Sequence, residues 1–209
     1  MARPRIFVSS TYYDLKSIRE EIDRFITSLG YEPVRHERGH VSYGSEDKPE
    51  IYAYREIEFC DILVSIIGGK YGTPANDSMY SISQIELKKA IELGKQVYIF
   101  VESSVLSEFK YYQVNKDVNG MKFIAVNDAR VYSFIEEIYK LPKGNPIFSF
   151  ETGNDLTNIL REQLSGLFQR LLIEDANKGQ TSLIQELQRN LQTVDQLVKF
   201  LTEEKTNSN

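Results

Sequence analysis

A carboxylate lies where a helix should be apolar. In the stretch SISQIELKKAIELGKQVYIF, residues 81–100, a turn of 100° per residue gathers Leu87, Ala90, Ile91 and Leu93 on one arc. Gln84, Lys88, Lys89 and Glu92 fall outside it, whereas Glu86 falls inside, beside Ala90 and Leu93. Two other stretches offer groups for the same chemistry. Ser9, Ser10, Thr11 and Tyr12 follow the short β-rich run RIFVSS, and Gly68, Gly69, Lys70, Tyr71 and Gly72 follow the apolar run DILVSII. Hydroxyls bind sugar or phosphate oxygens, glycines permit close backbone approach to a ligand, and Tyr71 offers a ring for a base to stack on. Ser81 and Ser83 at the helix entrance would join them, with Glu86 as the acidic group.

Structural roles compete for each of these residues. Ser83 and Glu86 form S-x-x-E, a capping box in which the glutamate reaches back to the Ser83 backbone. If Ser81 caps the helix with Gln84, Glu86 lies further in. An ordinary ion pair is a third reading. Thr11 is placed to cap the helix that starts near Asp14, and Gly68 and Gly69 also suit a turn.

Other chemistries fit poorly. GGKYG lacks the G-x-x-x-x-G-K-[ST] spacing of a phosphate loop, and the chain has no G-x-G-x-x-G. His36 and His40 are four apart in a stretch without helical period, and there is one cysteine, so no zinc site is expected. Cys60 abuts a buried strand and reads as a small core residue. One cysteine excludes an internal disulfide and fits a reducing, cytoplasmic setting. The net charge of −5 argues against a nucleic-acid partner, and no apolar run approaches the roughly 20 residues of a membrane span.

The elements that would position these groups alternate. Strands are expected at Arg5–Ser10, near YEPVR with Pro33 on an edge, at DILVSII, at QVYIFV, at MKFIAV and at PIFSF. Helices are expected from Asp14 to Leu29, from Pro49 to about Phe59, from the entrance at Ser81, from Ala129 to Lys140 and from Asp155 to Ile173. Alternation of this kind implies a parallel sheet with helices on both sides. With strand order 2-1-3-4-5, the three stretches above meet beyond the carboxyl ends of strands 1 and 3. The expected domains are 1–173 as the α/β unit, 174–181 (EDANKGQ and its neighbour) as a linker, and 182–209 as a terminal helix with a frayed tail.

The segments RIFVSSTYYDLKSIREEI, CDILVSIIGGKYG and SISQIELKKAIELGKQVYIF, in this order, resemble a family of TIR-like domains. Its members open with F-V-S-S-T-x-x-D-L and are often found at the front of multidomain signalling or defence proteins. More distantly, the arrangement resembles TIR domains and nucleoside deoxyribosyltransferases. The resemblance covers Arg5 to Ile173 and implies a flavodoxin-like, TIR-like α/β fold. It implies Glu86 as the catalytic residue, with Ser9, Ser10, Gly68 and Tyr71 as pocket walls. The implied activity is cleavage of the nicotinamide–ribose bond of NAD, by hydrolysis or cyclisation, with NAD as substrate and no cofactor or metal. A homo-oligomer and a separate sensor or effector partner in antiviral-type defence signalling are also implied. Two alternatives stand beside it: a non-catalytic oligomerisation module, and a glycosidase or transferase acting on nucleosides or deoxynucleotides.

In the last helix Ile184, Leu187, Leu191, Val194, Val198 and Leu201 recur at alternating steps of three and four. That is a heptad seam of about two and a half repeats, expected to pair with a second copy. Leu191→Asp together with Val198→Asp should shift the protein to a smaller species by light scattering. An unchanged mass would remove the seam from any assembly.

Overall fold

Three apolar runs build the middle of a five-stranded parallel sheet. They are β1 (Arg5–Ser10), β3 (Ile62–Ile67) and β4 (Gln96–Glu102), with β2 (Glu32–Val34) and β5 (Ile147–Phe150) on the edges. The order is β2-β1-β3-β4-β5. The structure, a computed structural model, describes residues 3–11, 13–35, 49–76, 78–118, 120–141 and 146–207. Continuous apolar runs suit strands covered on both faces. Ile6, Phe7, Val8, Leu63, Val64, Ile99, Phe100 and Val101 are accordingly all buried. Pro33, which lacks an N–H for a second ladder, lies opposite Ile6 on the edge strand β2.

Between the strands run α1 (Lys16–Ser28), α2 (Pro49–Glu58), α3 (Ile82–Glu92), α4 (Ser103–Val114) and α5 (Arg130–Tyr139). A final helix, α6, runs from Gly153 to Asn207. α1 ends at Gly30, whose φ of 79° suits the left-handed position past a helix end. There Gly30 N–H donates to Thr27 O at 2.9 Å and Tyr31 N–H to Ile26 O at 3.2 Å. α3 stops in the same way at Gly94, with φ 66°.

The topology opens a crevice at one end of the sheet. From β1 the chain crosses through α1 to β2 on one side, while β3 pairs with β1 on the other and leads through α3 to β4. The two connections therefore leave the carboxyl ends of β1 and β3 in opposite directions. In open α/β sheets ligands bind at that reversal of strand order.

The structure departs from the sequence expectations in four places. MKFIAV is not a strand. Two of its backbone N–H groups, at Ile124 and Ala125, donate to the Glu108 carboxylate at 2.8 Å each instead of entering a ladder. α1 begins at Lys16 with Leu15 at the N-cap and without a side-chain cap. Thr11 does not cap it; its hydroxyl donates to Asp14 Oδ1 at 2.5 Å. The stretch 174–181, expected as a linker, is helical and part of α6. Ala, Lys, Glu and Gln are good helix formers, and the one glycine, Gly179, costs about 1 kcal/mol, too little to stop a helix. Backbone contacts divide the chain into two units, Met1–Leu160 and Arg161–Asn209. In the heptad seam Leu187 is exposed, and the side chains of Ile184, Leu191, Val194, Val198 and Leu201 lie outside those described. The expected loop His36–Lys48, including His40, also lies outside the described residues.

The segment that replaces the expected strand crosses directly over the end of β3. A Cβ built on Gly69 would lie 2.2 Å from Ala125 O, closer than real contacts allow. Gly69→Ala should therefore displace this segment and cost about 1–3 kcal/mol in denaturant unfolding. Unchanged stability would mean that the crossing is not rigid.

Candidate active site

Glu86 is buried, at 1% exposure, on the face of α3 that packs toward the sheet. Ser81 is the N-cap and forms the capping box with Gln84, whose Oε1 accepts the Ser81 backbone N–H at 3.0 Å. The cap is thus not made by Ser83 and Glu86, and Glu86 sits in the second turn. There the end of β1 meets it: the Ser9 hydroxyl donates to Glu86 Oε2 at 2.5 Å, with Ser83 O at 3.2 Å. Burial pushes the Glu86 carboxyl up to about 7, against the opposing pull of the Ser9 hydrogen bond and the Arg19 charge.

Arg19 supplies that charge from α1, where it is 1% exposed. Its Nη1 donates to Ser10 O at 2.9 Å and also to the Ser10 hydroxyl. Arg35 in turn donates to Arg19 O and pairs with the buried Asp23 at 2.7 Å. Two cations and one anion therefore lie behind the end of β1, linked to Glu86 through adjacent serines.

A cleft of about 340 Å³ opens over this region. That volume is at the lower end of the range for small-molecule sites. Of the residues singled out in the sequence, Ser10, Thr11, Ser83 and Glu86 line it. Tyr13, Asp14, Arg19, Lys70, Gly72, Thr73, Ile82 and Asn127 complete the lining. Asp14 is a second carboxylate in the cleft, held by Thr11 and by Lys70 N–H at 3.2 Å.

Other expected site residues hold the site rather than line this cleft. Ser9 is buried with its hydroxyl on Glu86. Ser81 is fully buried at the cap. Gly68 packs against Asp14 and Leu15, and Gly69 lies beneath Ala125. Tyr71 is 4% exposed, its hydroxyl donates to Met79 O, and the Arg130 guanidinium covers its ring at 3.8 Å. Tyr71 is therefore placed as a wall behind the cleft and not as a stacking platform. Tyr12 lies outside the described residues. Cys60 is buried and its thiol is pushed up to about 12 by that burial, consistent with an inert core residue. Among the described residues no acidic, cysteine and histidine cluster could hold a metal ion, and no helix is long and apolar enough to cross a membrane.

Arg19, Asp14 and Asn127 were missed from sequence. Arg19 had a signal, the same one that singled out Glu86: Leu15, Arg19, Ile22 and Ile26 step by four, three and four along one helical stripe. Asp14 read only as the start of a helix. Asn127 had no signal, standing just after MKFIAV, which reads as a strand.

The buried carboxyl makes stability depend on pH in a defined direction. Glu86 holds its proton to about pH 7 in the folded chain and to about 4.5 ordinarily, so between these values the folded state binds more protons. The resulting stability is fully present below the lower value and lost as pH rises through the upper one, on the order of 3 kcal/mol in all. Urea unfolding of the native chain and Glu86→Gln should show the native chain losing ground to the variant between pH 5 and 8. A difference that stays constant would place Glu86 in an ordinary, hydrated setting.

Among curated proteins none matches the chain. Among solved structures, the Clostridium botulinum CMP N-glycosidase BcmB is similar, with a TM-score of 0.44 and 14% identity over 76% of this chain and 98% of that one. Residues 5–165, which hold all five strands and every residue of the cleft, match a family described as a domain of unknown function, DUF4062, and the chain belongs to that family.

Proposed function

We propose that the protein is a nucleotide N-glycosidase that cleaves the nicotinamide–ribose bond of NAD⁺, with Glu86 as the essential carboxylate. The observation that carries this reading is the buried Glu86 carboxyl on the wall of the cleft at the reversal of strand order. Breaking the C1′–N bond sends the electron pair to the pyridine nitrogen and leaves positive charge on the ribose. An ionised Glu86 stabilises that charge or captures it covalently, and in a water-poor site its effect is large. Nicotinamide departs as a neutral base and takes no proton, so a single carboxylate suffices. Water then adds at C1′ and releases its proton, or a second nucleophile on the same molecule closes a ring. Lys70, exposed on the same cleft, supplies positive charge for phosphate oxygens. The resemblance of the opening motifs to TIR-like domains is what narrows the nucleotide to NAD⁺.

The upward shift of Glu86 favours a second reading. A carboxyl titrating near 7 is partly protonated at neutral pH and can donate that proton to a departing base, which suits cleavage of nucleosides or deoxynucleotides. The two readings have opposite pH dependence. NAD⁺ cleavage by the ionised form rises with pH through about 7, and base release by the acid form falls.

The purified chain, incubated with NAD⁺ beside Glu86→Gln, should release nicotinamide at a rate at least ~100-fold above the variant. Ser9→Ala should move the rising limb of the pH profile to more alkaline pH, because the lost hydrogen bond favoured the ionised form. Equal release by the native chain and Glu86→Gln would remove the mechanism. No release at any pH, with NAD⁺ or with nucleoside monophosphates, would leave a non-catalytic assembly module as the better reading.

A further inference from the structure

The segment crossing the end of β3 is held more tightly than a loop needs to be. Glu108 on α4 accepts the Ile124 and Ala125 backbone N–H groups at 2.8 Å each, and also the Tyr132 hydroxyl. Two residues on, Asn127 N–H donates to Gly69 O at 2.9 Å. Ala125 O occupies the space that a side chain at Gly69 would need. The backbone on both sides of Asn127 is thereby fixed to α4 and to the loop that follows β3.

The side chain of Asn127 is fixed as well, and in one orientation. The Tyr71 backbone N–H donates to Asn127 Oδ1 at 2.9 Å. A backbone N–H is a donor only, so the amide oxygen must face it and the amide nitrogen must face away. Asn127 also lines the cleft that contains Glu86. The polar group it has left for that cleft is an NH₂ with two donor hydrogens.

We propose that Asn127 is a specificity residue that donates a hydrogen bond to a carbonyl oxygen on the departing base. This rests on the N-glycosidase reading above and adds the class of leaving group to it. The bond selects bases with a carbonyl near the scissile bond, such as the carboxamide of nicotinamide or the keto group of a pyrimidine. Bases presenting only a donor or an apolar group there would leave the amide unsatisfied and be disfavoured. Because the amide is oriented before substrate arrives, little ordering is needed on binding.

Asn127→Asp isolates the donor. One carboxylate oxygen still accepts the Tyr71 N–H, while the group facing the cleft changes from donor to acceptor. Base release would be measured for the native chain and the variant with NAD⁺, with cytidine 5′-monophosphate, and with the NAD⁺ analogue bearing 3-methylpyridine in place of nicotinamide. The expected result is a loss of at least ~10-fold in kcat/KM on whichever carbonyl-bearing substrate the native chain cleaves, with the analogue's rate altered much less. Whether NAD⁺ or the cytidine nucleotide is the better native substrate tells which carbonyl is read. The added charge acts alike on NAD⁺ and its 3-methylpyridine analogue, both pyridinium dinucleotides, so the comparison between those two separates it from the hydrogen bond. Asn127→Ala, with neither group, should show the same selective loss if it unfolds at the native temperature.

An equal loss on all three substrates would make Asn127 a positioning residue of the loop and overturn the proposal. Unchanged rates on the carbonyl-bearing substrates would overturn it too, while leaving the N-glycosidase reading standing. If the native chain cleaves none of the three and Glu86→Gln binds none by calorimetry, the N-glycosidase reading itself fails, and this inference falls with it.

Discussion

The hydrogen bond from Ser9 to Glu86 joins the end of β1 to the second turn of α3, and the organisation of the cleft follows from where it forms. A carboxyl sealed from water must find partners or give up its charge. Here it finds a hydroxyl on the neighbouring strand and the charge of Arg19, which the next residue of that strand holds, and its titration moves upward only part of the way a lone buried acid would go. Arg19 is equally sealed, and it is spread over the carbonyl and hydroxyl of Ser10. Adjacent serines at the end of one strand therefore hold an anion and a cation at the base of the same cleft. Asp23 and Arg35 extend the set with a buried ion pair that neutralises itself.

The far side of the cleft is built by a different device. The segment after α4 makes no ladder and crosses the end of β3, where Asn127 N–H donates to Gly69 O. Its backbone donors are instead collected by one carboxylate, Glu108, whose affinity for protons is lowered, against burial, by the Tyr132 hydroxyl and by those bonds. Gly69 lets the segment cross at backbone contact distance. The crossing sets Asn127 against Tyr71, and Tyr71 is itself clamped between Met79 O and the Arg130 guanidinium. The aromatic residue expected to meet a ligand thus serves as a rigid backing, and the asparagine in front of it meets the cleft.

Much of the architecture is legible in the chain because its signals are local. The unbroken apolar runs announce covered parallel strands, Pro33 announces an edge, and Gly30 and Gly94 mark helix ends through a backbone conformation that other residues avoid. Glu86 is legible in the same manner, as a charge on an apolar stripe. Where the local signal is ambiguous, expectation and structure differ. MKFIAV has the composition of a strand, yet two of its backbone donors go to Glu108, and EDANKGQ is as compatible with helix as with linker.

Sequence alone determined that a carboxylate would be buried at the entrance of α3 and that serines and glycines would gather at the strand ends. Arg19 carries the same signal on the apolar stripe of α1, but its role is legible only from the structure. Tertiary structure decided what these groups touch. Ser9 and Glu86 are 77 residues apart and Tyr71 and Asn127 are 56 apart, so neither pair leaves a pattern within a helical turn or along a strand. The choice of Ser81 over Ser83 as the cap, the turning of Tyr71 away from the cleft and the orientation of the Asn127 amide were settled by hydrogen-bond partners brought in from distant segments. Periodicity reports which face of an element is buried; only the packing of one element on another fixes which donor meets which acceptor there.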